Sequence, residues 1–420
     1  MTKTPDKPEL LLPAGDPEKL CYAIAYGADA VYFGLPMASL RTPSKGPQFT
    51  PGNMGEWISY CQTRGVKAYI TTNIFAGNRD IDRLIPHFEL LNELKPDAVI
   101  LSDPGVFRIA RQYAPDVPVH LSTQANTLNA SACAFWQDLG VERVILAREV
   151  PVREMAEIHE AVPSLELECF VHGSLCVAYS GRCVISDYLT DNTKNSNKGM
   201  CGNSCRWEMN VVETTRPDQV YTLEEDNKGT YLLNSKDLCL VRYLPELKAA
   251  GICSFKVEGR TKGVHYVATV GHVYREAIDH GDNASPEQIA RWEETLEESA
   301  NRGFTEGFLH GKPGSTAYTY ESAQSISQAT FVASAEGELN REGLIKVQGR
   351  NRFKAGESLI WMTPEGLVSQ TMTDMVDEQG FKTDVVQPNQ FVWIAPPQNI
   401  SQDALRWALL RRKEPVSLAG

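Results

Sequence analysis

Within FVHGSLCVAYSGRCVIS, residues 170–186, a histidine and two cysteines stand at spacings that chemistry can use. His172 precedes Cys176 by four residues, so a helical turn there would bring imidazole and thiol within hydrogen-bonding reach, as a cysteine nucleophile and its base require. Such a pair also needs an orienting partner and an oxyanion hole, and the sequence shows no glycine elbow of the hydrolase kind. The other possibility is a metal. Five of the ten cysteines, Cys176, Cys183, Cys201, Cys205 and Cys239, follow the spacing C-x6-C-x17-C-x3-C-x33-C. Zinc fingers favour paired C-x2–4-C units at both ends, which this pattern lacks. Four thiolates suit structural zinc or an iron–sulfur cluster, and spacing alone leaves both open. Cys21, Cys61, Cys133, Cys169 and Cys253 lie in helix-like or strand-like segments and read as small buried apolar residues.

These residues need a scaffold. The first 280 residues alternate strand-like and helix-like segments. The strands are ELLLP (9–13), DAVYFG (29–34), KAYITTN (67–73), DAVILSD (97–103), PVHLSTQ (118–124), ERVILAR (142–148), LELECFVHG (165–173) and SFKVEGR (254–260). Most are unbroken apolar runs, as expected for parallel strands covered on both faces. In DPEKLCYAIAYG, Asp16 can cap a helix and Gly27 can end it. In IDRLIPHFELLNEL, Pro86 must kink or start the helix. Eight strand–helix units describe an α/β fold, a TIM-like (β/α)8 barrel, with a doubly wound sheet as runner-up.

The seventh connection is abnormally long and carries the clustered cysteines, with Cys239 just past its end. In a barrel it would lie over the C-terminal mouth, where barrel chemistry occurs. The expected organisation is a barrel domain over 1–283 with a cysteine-rich insertion at 174–238. A helical connection over 284–328 contains PEQIARWEETLEESANRG, and a small β-barrel-like domain over 329–420 has turns at EGEL, QGRNRFKAGE, TPEG and DEQG.

With strands so placed, their C-terminal ends present Asn73, Asp103, Gln124, Arg148 with Glu149, His172, and Glu258 with Arg260, and Arg41 lies in the loop after the second strand. Arginine forks bind carboxylates in bidentate fashion, so this rim suits a small organic acid. Arg148, His172, Glu258 and Arg260 are the candidate catalytic groups, and Arg41, Asn73, Asp103 and Gln124 the candidate substrate-binding ones. The plainer reading is mutual ion pairing that closes the barrel top. In the tail, KVQGRNRFKAG carries Lys346, Arg350, Arg352 and Lys354, and RWALLRRK adds Arg406, Arg411, Arg412 and Lys413. A solvated face explains them; contact with nucleic acid through Arg350 and Arg352 is the sharper reading.

The 420 residues are 42% hydrophobic and carry a net charge of −12, which argues against a general polyanion binder but allows a local basic patch. No apolar run approaches the ~20 residues of a membrane helix. The opening MTKTPDKPE has no apolar core of a signal peptide, so a soluble, cytoplasmic protein with no membrane partner is expected.

FVHGSLCVAYSGRCVIS, GMCGNSCRWE, LLLPAGDPEKLCYAIAYGADAVYFG, HLSTQAN, NSKDLC and FKVEGRTKGVHYVATVGHVYREAID together resemble the collagenase-like peptidases, peptidase family U32, over nearly the whole chain. Length and the β-rich tail resemble the tRNA hydroxylation branch of that family. NKG before Cys201 and AREV at 147–150 depart mildly from the family's usual Asn-Arg-Gly and Ser-Arg-Glu. The resemblance implies oxygen-independent hydroxylation of the tRNA wobble uridine to 5-hydroxyuridine, a [4Fe–4S] cluster and prephenate as co-substrate. It places Cys176, Cys183 and Cys201 on positions that look like cluster ligands. Cys205 and Cys239 compete for the fourth place, with Cys205 preferred because a C-x3-C pair can close one cluster locally. The rival expectations are a peptidase using Cys176 or a metal-activated water, and a zinc-stabilised scaffold that binds RNA.

Overall fold

The computed structural model describes residues 7–40, 47–176, 178–191, 194–207, 225–226, 229–230, 234–319 and 325–413. Arg41 lies outside the described residues.

All eight expected strands form, and they close. The strands β1 (Glu9–Pro13), β2 (Ala30–Phe33), β3 (Lys67–Thr71), β4 (Ala98–Leu101), β5 (Val119–Leu121), β6 (Arg143–Ile145) and β7 (Glu166–Ser174) pair in chain order, all parallel. The eighth barrel strand, Ile252–Val257, pairs in parallel with both β7 and β1, which decides for a barrel over an open doubly wound sheet. Helices α1 (Pro17–Ala25), α2 (Met54–Gln62), α3 (Asn78–Leu94), α4 (Pro104–Tyr113), α5 (Ala130–Asp138) and α6 (Val152–Ala161) return the chain between strands. Asp16 caps α1 as expected, accepting from the Lys19 N–H at 3.0 Å. Pro86 does not start its helix: α3 begins at Asn78 and runs through it.

The barrel interior is polar below the mouth. Arg143 reaches Glu9 at 2.6 Å and Glu168 at 3.2 Å, and Lys256 meets Glu168 at 2.8 Å. Burial alone would raise the Glu9 pKa, but Arg143 beside it draws the carboxyl down to about 2. Buried ions survive here because each has an opposite partner.

Five of the eight histidines sit where burial lowers their pKa: His87 to about 4, His172 and His265 to about 3, His120 well below its ordinary value, and His272 also downward. Below about pH 6.5 the unfolded chain takes up protons that these folded imidazoles refuse. Each then withdraws up to about 1.4 kcal/mol of stability per pH unit until its folded pKa is reached. Glu9 acts in the same direction, losing its contribution as pH falls from about 4.5 towards 2. The melting temperature should therefore hold near neutrality and fall steeply between about pH 6.5 and 4.5. A flat profile across that window would show these histidines to be solvated.

The C-terminal domain is all-β. Its seven-stranded antiparallel sheet runs in the order Gly366–Thr371, Ser358–Thr363, Leu409–Lys413, Ala329–Leu339, Ile345–Gly349, Phe391–Ile394, Met375–Asp377. The two outermost strands do not pair with each other, so this ladder stays open where a small barrel was expected. The domain is bolted to the barrel. The Tyr26 hydroxyl donates to the Met362 and Trp407 carbonyls at 2.8 and 2.9 Å, and Arg411 and Glu298 form an ion pair whose side chains are 1% and 3% exposed. Among the described residues no helix is long and apolar enough to cross a membrane.

Candidate functional site at the barrel mouth

A cavity of about 770 Å³ opens at the C-terminal ends of the strands. Asn73, Gln124, Arg148, Glu258 and Arg260 line it, as their strand-end positions predict, together with Cys176, Cys183, Cys201 and Cys205. Lys19, Arg148, Lys194, Arg206, Lys256, Arg260, Lys262 and Arg302 face one lining carboxylate, Glu258, on a chain whose net charge is −12. Such a mouth concentrates anions.

The insertion is held over this mouth by specific clamps. The Ser180 N–H and hydroxyl both donate to the Glu149 carboxylate at 2.7 Å. Arg182 donates to the Gln124 carbonyl at 2.8 Å, and the Phe75 N–H donates to the Asn197 carbonyl at 3.0 Å. Gly199 has φ +90°, and a Cβ there would come within 2.8 Å of the Ser39 carbonyl oxygen, so only glycine lets the insertion lie this close. Arg206 ties the Cys205 turn to the Ser235 and Leu175 carbonyls at 2.6 and 3.0 Å. These anchors set the thiols. Burial raises the Cys205 pKa, Arg206 opposes it, and Cys176, Cys201 and Cys183 each raise it further, so the four thiols lie within one another's field. The Asn203 N–H donates to the Cys201 sulfur at 3.4 Å.

Cys239 stands elsewhere. The short strand Asp237–Cys239 runs antiparallel to β7, with Cys239 opposite His172, and Cys239 does not line the cavity. Burial pushes its thiol up to about 12, against hydrogen bonds from the Val241 N–H and the Tyr274 hydroxyl.

His172 is also off the cavity, which corrects its expected place at the mouth. Phe170 pairs with Lys256 but His172 pairs with Val257, so β7 carries a one-residue bulge that turns His172 to the outer side. There it is 1% exposed among Tyr266, Tyr274 and Phe304. Among the described residues no hydrogen bond joins it to Cys176, so the two do not form a nucleophile–base pair. The adjoining Gly173, at φ +108°, lets β7 approach the eighth strand; a Cβ would come within 2.4 Å of the Glu258 carbonyl oxygen. The Glu258 N–H donates to the His172 carbonyl at 2.8 Å, so the His-Gly motif positions Glu258.

Asp103 does not line the cavity either; it caps α4, accepting from the Val106 N–H at 2.9 Å. The Asp-Pro pair that opens α4 was the available signal. Asn73 accepts from the Leu40 N–H at 3.1 Å and donates to Gln124 at 3.4 Å. Arg260 lines the cavity, but its guanidinium is engaged by the Ser39 hydroxyl, the Thr71 hydroxyl at 3.0 Å and the Leu40 carbonyl. Arg148 lies over the Phe170 ring at 4.4 Å and has no hydrogen-bond or ion-pair partner among the described residues. Lys256 was missed by strand-end reading because it sits one pleat below Glu258, on the same face of the strand.

Much of the tail's basic character is consumed internally. Lys346 pairs with Glu378 at 2.7 Å, Arg412 with Glu357 at 2.9 Å and Lys413 with Glu294 at 3.0 Å, and Arg411 is buried in the domain interface. Arg350 reaches Glu18 at 3.5 Å, in the first turn of α1, next to the cavity-lining Lys19. Arg352 and Lys354 remain exposed beside it.

The family model described as "Peptidase family U32" matches residues 15–319, and that described as "Peptidase family U32 C-terminal domain" matches residues 327–411. The chain is 39% identical to "tRNA hydroxylation protein P" of Escherichia coli, covering 97% of both chains. It is 37% identical to the protein of that name from Haemophilus influenzae, covering 97% of this chain and 96% of the relative. It is 34% identical to "Collagenase" of Porphyromonas gingivalis, covering 72% and 74%.

Proposed function

We infer that this chain, which belongs to peptidase family U32, is an RNA-hydroxylating enzyme whose substrate is tRNA. The finer reading is conversion of the wobble uridine to 5-hydroxyuridine without molecular oxygen, with prephenate as co-substrate and a [4Fe–4S] cluster held by Cys176, Cys183, Cys201 and Cys205. The observation that carries it is convergence: four thiols and a partner-free arginine on one cation-lined cavity at the barrel mouth. The near full-length likeness to proteins named for tRNA hydroxylation supports the choice of substrate. The peptidase reading loses its base, because His172 lies outside the cavity that Cys176 lines.

The donor set fits a cluster. Soft thiolates select zinc or iron–sulfur, and no carboxylate or imidazole completes the four. A single tetrahedral zinc with bonds of about 2.3 Å needs its sulfurs nearly in contact. Among the described residues no group of three or more His, Cys, Asp and Glu is placed to hold a single ion. Four thiols spread around one cavity suit a larger group. When bound, the cluster supplies electron-transfer chemistry. The chain's own residues do the rest. Arg148 takes a carboxylate of the small acid against the Phe170 face, and Lys256 adds charge at the floor. Glu258, the sole lining carboxylate among the described residues, is placed to hold a proton beside the bound ligands. The clamped insertion covers the mouth and excludes water.

In a strain lacking the gene, tRNA should lose its 5-hydroxyuridine-derived nucleosides, and a plasmid copy should restore them. Protein purified without air should be brown, with about four irons and four sulfides per chain. Fully modified tRNA in a deletion strain that has no second homologue would sink this reading.

A further inference from the structure

Twelve large hydrophobic side chains stand exposed among the described residues, and six of them, Tyr179, Val184, Tyr188, Leu189, Met200 and Trp207, belong to the insertion. Isolated exposed apolar side chains are ordinary; half of them concentrated in one short segment is not. Tyr188 is 83% exposed, Tyr179 54% and Trp207 45%. The backbone that carries them is nonetheless anchored. Tyr179 precedes Ser180, which is clamped to Glu149, and Trp207 follows Arg206, which is tied to Leu175 and Ser235. The helix bearing Tyr188, Ile185–Leu189, packs against the 204–206 turn. Fixed backbone presenting exposed rings is built to meet something.

The rings also border the cavity. Ala178 and Ser180 flank Tyr179 and line it, as does Arg206 beside Trp207. Exposed Arg182, Lys194 and Lys198 interleave with them. From 174 to 207 the chain carries four cations, Arg182, Lys194, Lys198 and Arg206, against two carboxylates, Asp187 and Asp191, whereas the whole chain is at −12.

We propose that Tyr179, Tyr188 and Trp207 form a base-stacking surface that captures a single-stranded RNA loop at the cavity mouth, with the phosphates meeting Arg182, Lys194 and Lys198. This rests on the RNA reading above and assigns the contact to the insertion rather than to the basic loop of the C-terminal domain. A base must leave its stack to enter a cavity, and aromatic faces replace the stacking it gives up. Interleaved lysines favour RNA over a protein partner, because lysine is depleted from protein-binding cores.

The test is binding of a labelled tRNA anticodon stem–loop to the full-length protein. The Tyr188→Leu, Trp207→Leu double variant keeps apolar bulk at exposed positions, so its melting temperature should match the parent's. It should bind the stem–loop about tenfold or more weakly, with an unchanged salt slope. Arg182→Ala with Lys198→Ala should instead flatten the salt slope. Parent-like affinity in the Tyr188, Trp207 variant would overturn the inference while leaving the RNA reading intact. Parent-like affinity with loss of self-association on size exclusion would mark the rings as a protein interface. A parent that binds neither the stem–loop nor whole tRNA would overturn the RNA reading itself.

Discussion

Cys205→Ala protein, purified without air, should carry almost no iron or sulfide and leave tRNA unhydroxylated, whereas Cys239→Ala should retain about four of each and its activity. The two cysteines are equal candidates by residue type. Geometry separates them. Cys205 lines the mouth cavity with Cys176, Cys183 and Cys201 and feels the field of all three. Cys239 sits across a strand ladder from His172, against Tyr274, on the outer side of the bulged β7. Three thiols and an alanine leave one iron without its protein ligand, and cubane clusters need all four corners held. Removing Cys239 takes one thiol from an apolar setting and should cost a little stability and no iron. Measured iron, sulfide and tRNA nucleoside content decides. The opposite pattern would place the cluster outside the cavity. Iron retained by both variants would move the assignment to zinc or to free thiols.

The barrel was legible because buried parallel strands write themselves as unbroken apolar runs, and every one of the eight segments holds a strand. The mouth was legible where strand ends stayed in register: Asn73, Gln124, Arg148, Glu258 and Arg260 all line the cavity. It failed where a local event broke the pattern. One extra residue in β7 sends His172 outward, and nothing in FVHGS announces a bulge. Asp103 went to a helix cap, as short carboxylates before Asp-Pro-type starts do. Lys256 was hidden one pleat below the rim. The anchoring of the insertion is non-local, linking Glu149 to Ser180, Asp80 to Lys198 and Ser39 to Gly199, so no single window of sequence contains it. The basic tail misled for the same reason. Its partners Glu18, Glu294 and Glu298 lie far away in sequence.

Arg148→Ala should raise the KM for the small acid by about tenfold to a hundredfold and leave the melting temperature unchanged, while Arg260→Ala should do the reverse. Sequence position treats the two arginines alike, since each stands at the end of a barrel strand. Their surroundings differ. Arg148 lies flat on Phe170 with its donors unused among the described residues, so a carboxylate gains charge-assisted hydrogen bonds without breaking any. Losing them costs about 1.5–3 kcal/mol, which is the stated range in affinity. Arg148→Lys should recover only part, because an ammonium cannot present the planar fork. Arg260 is 5% exposed and already donates to Ser39, Thr71 and the Leu40 carbonyl. Removing it leaves buried acceptors without a donor, at about 1–3 kcal/mol each, and loosens the segment on which Gly199 rests. Titrating the acid against each variant, beside a thermal melt, separates a binding arginine from a structural one. A KM that moves with Arg260 and not with Arg148 would shift the acid to the other side of the cavity.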